Sequence, residues 1–179
     1  FIACGPSTEG QTKDWTRNKE KAGELRIDHP NFKAALDAEQ KKAEAIWEEA
    51  GKLSDEEAKA EKMKAANEEF GHLVRRLGEV NSRSADLEKK ISKLNGMKIA
   101  KSKSSERKKA VEKARLAISE VKAEVGKLQP TDGASGRKAL DPHVSRLVRA
   151  NSNMDKTIKK LGPKKKKKDK KKKKKDKKK

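Results

Sequence analysis

The sequence predicts an all-α protein: a three- to four-helix antiparallel coiled-coil-like bundle with a disordered N-terminal leader and a lysine-rich C-terminal tail. Three observations carry this reading. Apolar residues recur at alternating spacings of 3 and 4 in separate stretches, the period of one helix face. Charged residues reach 43% and hydrophobic ones only 31%, so the core must be thin and much of each helix must face water. Glu and Lys are interleaved through the middle of the chain, where they favour helix and support each other across one turn. Nowhere does the chain approach the roughly 20 consecutive apolar residues of a membrane span.

Residues 1–27 hold Gly5, Pro6, Ser7, Gly10 and Gly23 and no sustained apolar period. They read as a flexible leader or tether, with at most a little helix around Trp15 to Leu25. The bundle is expected over 28–162. Its first helix, about 30–53, opens at Pro30, with Asp28 placed to cap it. Phe32, Leu36, Ala43, Ile46, Ala50 and Leu53 share one face, which Glu39 interrupts.

The second helix, about 55–95, starts at a capping box, Ser54-Asp55-Glu56-Glu57, with Ser54 as the cap. It carries the strongest periodicity: Met63, Ala66, Phe70, Leu73, Leu77, Val80, Ser84, Leu87, Ile91 and Leu94 are spaced 3, 4, 3, 4 without a break. Asn95-Gly96 offers a left-handed stop. A third helix, about 104–128, presents Val111, Ala114, Ile118, Val121, Val125 and Leu128, and Pro130 ends it. Residues Thr131 to Gly136 read as a loop. Asp141-Pro142 opens a fourth helix, about 142–161, with Val144, Leu147, Asn151, Met154, Ile158 and Leu161 in the same register. Asn151 reads as exposed in a marginal helix, because Ser152 and Asn153 lower the propensity beside it; the other reading is a buried residue that fixes register. Short joints imply antiparallel neighbours. Val74, Ala117, Val148 and Ala150 flank the seam and widen it, which favours one chain folding on itself; a homo-oligomer is the alternative.

The end of the chain states its chemistry most openly. Residues 163–179 are expected to be disordered. They contain Lys164, Lys165, Lys166, Lys167, Lys168, Lys170, Lys171, Lys172, Lys173, Lys174, Lys175, Lys177, Lys178 and Lys179, broken only by Asp169 and Asp176. Fourteen lysines against two aspartates give +12 of the chain's +21. Such a run has no apolar surface to bury and repels itself. Ammonium groups bind polyanions as mobile point charges, steeply in salt and blind to sequence. The expected partner is an anionic polymer or membrane surface: an envelope glycan, lipid headgroups or nucleic acid. With no Arg fork and no aromatic, the run has no means of reading a base.

At the other end, Ile2-Ala3-Cys4-Gly5 places an aliphatic and a small residue before a lone cysteine and a glycine after it, followed by Pro6, Ser7, Thr8, Glu9 and Gly10. This pattern resembles the lipobox of bacterial lipoproteins and the flexible tether behind it, although Phe1 stands where leucine is usual. The resemblance implies a covalent lipid at Cys4 and a lipid-anchored place in the cell envelope. The chain opens without methionine, as though a signal segment preceded it.

The remaining residues point to no reaction. A single cysteine excludes an internal disulfide. His29 precedes a proline, His72 faces water and His143 falls in a first helical turn, with no metal-ligand spacing among them. No phosphate-binding glycine motif is present. The sequence therefore predicts a non-enzymatic protein without cofactor or metal. Its expected role is a lipid-anchored helical spacer with a polycationic tail. One alternative is a cytoplasmic or nucleoid protein that clamps nucleic acid without sequence preference. The other is a structural coiled-coil partner with an inert tail.

Overall fold

The computed structural model describes residues 5–162. Five α-helices alternate in direction: α1 (Thr8–Asp28), α2 (Lys33–Gly51), α3 (Glu56–Gly96), α4 (Ser104–Val125) and α5 (Gly133–Leu161). Single 3-10 turns at Pro30–Phe32 and Lys101–Lys103 lead into α2 and α4. An all-α bundle is what the periodicity demanded. Its spine is α3, whose 41 residues extend roughly 60 Å at 1.5 Å per residue.

The leader is the largest correction. Residues Thr8–Asp28 form a docked helix, not a tether. Ser7 caps it, its Oγ accepting from Gly10 N at 3.1 Å. Trp15, Ala22 and Leu25 are buried. The Trp15 ring stacks on Trp47 with centroids 4.7 Å apart and leans on Phe70 at 5.6 Å. Asn67 of α3 donates to the Gln11 carbonyl at 2.9 Å, fixing the register of α1.

Two core clusters stack along α3. The lower one gathers α1, α2, α3 and the first half of α5 around Phe32, Leu36, Phe70, Leu73, Leu77 and Leu140, with Val121 and Val125 at its upper edge. The upper one contains only α3, α4 and α5, around Leu87, Ile91, Leu94, Val111, Ile118 and Met154. Leu128 is partly buried against the lower cluster. Between the clusters lie two buried polar residues, Ser84 and Asn151. Asn151 is therefore inside the bundle, against the exposed reading. Its Nδ2 donates to the carbonyls of Arg83 at 2.9 Å and Leu147 at 3.0 Å, linking α5 to the middle of α3.

Several boundaries also differ from the sequence reading. Asp55, not Ser54, caps α3, accepting from Ala58 N at 2.8 Å. No described residue adopts a positive φ, so Asn95-Gly96 is not a left-handed stop. Helix α5 begins nine residues earlier than 142: Asp132 caps it by accepting from Ser135 N at 2.9 Å, and Pro142 sits inside it. The interior proline forfeits one helical hydrogen bond, and the bundle contacts on both sides of it hold the helix. Leu53 and Val148, expected on or beside the seam, are 37% and 41% exposed. Asn31 Nδ2 donates to the carbonyls of Val125 at 2.9 Å and Leu128 at 2.7 Å, capping the end of α4, a role that no local pattern signals.

Candidate functional site

The bundle is electrically polarised along its length. Residues 1–70 carry 12 basic and 16 acidic side chains, net −4; residues 71–162 carry 23 and 10, net +13. The first set builds α1, α2 and the start of α3. Within the second set, residues 84–120 and 148–162, which build the upper cluster, carry 15 basic and 6 acidic side chains, net +9, so the positive charge concentrates there.

That end has a defined concavity. A surface groove of about 590 Å³ runs between α4 and α5. Its floor is made of Ala110, Ala114, Ala117, Ala150 and Met154, and its rims carry Lys109 and Lys113 on α4, and Arg146, Arg149 and Lys156 on α5. The pairing among these charges is uneven. Arg146 is held by Glu124 at 3.0 Å and Glu120 at 3.5 Å, and the one acidic lining residue, Glu106, is taken by Lys160 at 2.5 Å. Lys109, Lys113, Arg149 and Lys156 form no ion pair with any described carboxylate. On the opposite side of α4, Arg107, Lys108 and Arg115 line a second, shallower hollow. Both flanks of α4 therefore present cations.

The two chain ends leave this frame at different levels. Gly5 and Pro6 share a surface hollow with Lys64, Asn67 and Glu68, near the start of α3. At the other end Leu161 packs with Leu94 and Ile91, and Gly162 lies against Met97. From residue 67 to residue 94 along α3 the rise amounts to about 40 Å. Cys4 and the fourteen tail lysines lie outside the described residues.

A different kind of site sits in the lower tier. Glu39, the residue that interrupts the apolar face of α2, is only 2% exposed. It accepts from Leu73 N at 3.3 Å and from Arg137 Nη1 at 3.1 Å. Its carboxylate fills the space above Gly133, the first residue of α5, where any Cβ would overlap it. Burial pushes its pKa up to about 7, and the Arg137 guanidinium and the Leu73 amide oppose that shift. The histidines divide. His29 Nε2 pairs with Asn81 Oδ1 at 2.9 Å; His72 is exposed and held below its ordinary pKa by burial and Arg75. His143 belongs to the middle of α5, not to a first turn, and is buried with Nδ1 3.2 Å from Glu124. No group of three or more His, Cys, Asp or Glu residues that would hold a metal occurs among the described residues, and no described helix is long and apolar enough to cross a membrane.

The chain matches no protein-family model, no curated protein and no solved structure. The functional reading therefore rests on its own chemistry.

Proposed function

We propose that the protein is a non-enzymatic, lipid-anchored spacer that holds a polycationic end away from its anchor and presents it to an anionic envelope polymer or membrane surface. The observation that carries this reading is polarity. Gly5 and Pro6, which adjoin Cys4 in sequence, stand near the start of α3 among a net-negative set of helices; Gly162, which precedes Pro163 and the lysine run in sequence, lies at the far end among net-positive ones. A helical frame about 40 Å long separates them. Acyl chains at Cys4 would provide one attachment and the +12 run a second, electrostatic one. The groove cations on α4 and α5 add to the positive charge of that end of the bundle.

The test has two arms. In bacteria expressing the chain with its natural upstream codons, labelled palmitate should enter the wild type and not Cys4→Ala; unlabelled wild-type protein in the soluble fraction would sink the anchor. Retention on an immobilised polyanion should be strong at low salt, collapse as salt rises, and fall sharply when residues 164–179 are deleted. The unpaired groove cations also favour a second reading, a cytoplasmic or nucleoid protein bound to nucleic acid. That reading predicts retention of the same kind without palmitate.

A further inference from the structure

The groove between α4 and α5 offers cations carried at set spacings on two helices and a shaped floor. Lys109 and Lys113 repeat one helical turn apart on one rim, a spacing of about 5–6 Å. Arg149 and Lys156 face them from the other rim, two turns apart. Alanine methyl groups on the floor let a polymer strand approach closely. The lining includes no aromatic residue on which a base would stack. Arg149 offers a planar fork suited to two oxygens of one phosphate, and Lys109, Lys113 and Lys156 add point charges. The amide of Asn153, on the same wall, suits a phosphate or sugar oxygen.

Together these features select a ligand within the polyanion class. We propose that the α4/α5 groove binds one phosphodiester strand through its backbone alone. The inference rests on the polyanion reading above and gives it a structured site. Unpaired cations pointing into one channel are also the arrangement expected when the missing anions belong to a ligand.

The test uses the full chain and three probes of equal length: an oligothymidine strand, an abasic phosphodiester strand and a glycerol-phosphate oligomer. Lys113→Glu/Arg149→Glu should weaken binding of the abasic strand about tenfold or more and lower the salt slope by roughly 1.5, the loss of two phosphate contacts. Lys41→Glu/Lys52→Glu removes the same charge at exposed positions on α2 and just beyond its end. It should weaken binding no more than threefold. Circular dichroism checks that each variant stays folded, and Lys113→Gln/Arg149→Gln should give about half the effect on log affinity. Equal losses in the groove and control variants would overturn the groove site while leaving the tail's polyanion role intact. Absence of any binding by wild type at low salt would instead sink the polyanion reading itself. Oligothymidine binding more than tenfold tighter than the abasic strand would overturn backbone-only recognition. The glycerol-phosphate arm separates sources: preference for it points to an envelope polymer, preference for the abasic strand to nucleic acid, and either order keeps the phosphodiester assignment.

Discussion

Replacing Glu39 by glutamine should change how the protein's stability depends on pH. Glu39 lies buried between α2, α3 and the start of α5, and burial raises its pKa from 4.5 to about 7. In the folded state it therefore binds its proton more tightly than in the unfolded chain. Between pH 4.5 and 7 the folded state carries more protons, so stability falls as pH rises. The contribution is fully present below pH 4.5, is lost through that window, and is flat above it. A shift from 4.5 to about 7, at 1.36 kcal/mol per unit, corresponds to about 3 kcal/mol, or roughly two decades in the unfolding equilibrium. Glutamine has nearly the same shape and keeps an acceptor for the Leu73 amide, but it does not titrate. Arg137, whose side chain is 33% exposed, can then turn to water. Urea unfolding followed by circular dichroism should show the wild type losing about 3 kcal/mol relative to Glu39→Gln between pH 4.5 and 7. Parallel stability curves for the two proteins across that window would refute the buried-carboxylate reasoning.

Three further tests probe the frame. Trp15→Ala removes the ring stacked on Trp47 and Phe70 and should cost about 3–5 kcal/mol, read by urea unfolding; a loss under 1 kcal/mol would mean α1 is not docked. Leu77→Lys places a charge in the lower cluster and should abolish cooperative melting, whereas Lys89→Gln, on an exposed side chain, should shift stability by less than about 0.5 kcal/mol. Gly133→Ala should be strongly destabilising in the wild type, because its methyl overlaps the Glu39 carboxylate, and much less so in a Glu39→Ala background. A double-mutant cycle with no coupling between the two positions would contradict that packing.

Which parts of the fold were legible follows from where the stabilising contacts lie. The α3 stripe from Met63 to Leu94 is readable because one helix carries its whole periodic face, and ten positions in register leave little room for another interpretation. The same holds for Val111 to Val125 on α4. Helix α1 was not readable because it buries only Trp15, Ala22 and Leu25, and their value comes from rings on α2 and α3 far away in sequence. The start of α5 was obscured by Gly133 and Gly136. Both signal a loop locally, yet the approach of the Glu39 carboxylate leaves no room for a Cβ at Gly133, and Leu73 packs closely over Gly136. Glu39 looked like a flaw in an apolar face because its partners, Arg137 and the Leu73 amide, lie on other helices. The groove was hidden for a similar reason. Lys109, Lys113, Arg149 and Lys156 resemble any solvated helix charges until α4 and α5 are set side by side.

The spacer is tested most directly by a distance. With Cys4 replaced by serine, spin labels on cysteines at Glu9 and Lys159 report the separation of the two ends of the bundle, since Gln11 meets Asn67 and Leu161 packs with Leu94. The rise along α3 between those contacts predicts about 40 Å with a narrow distribution. A mean below about 25 Å, or a broad spread without a peak near 40 Å, would mean that the frame does not hold the ends apart, and would contradict the spacer.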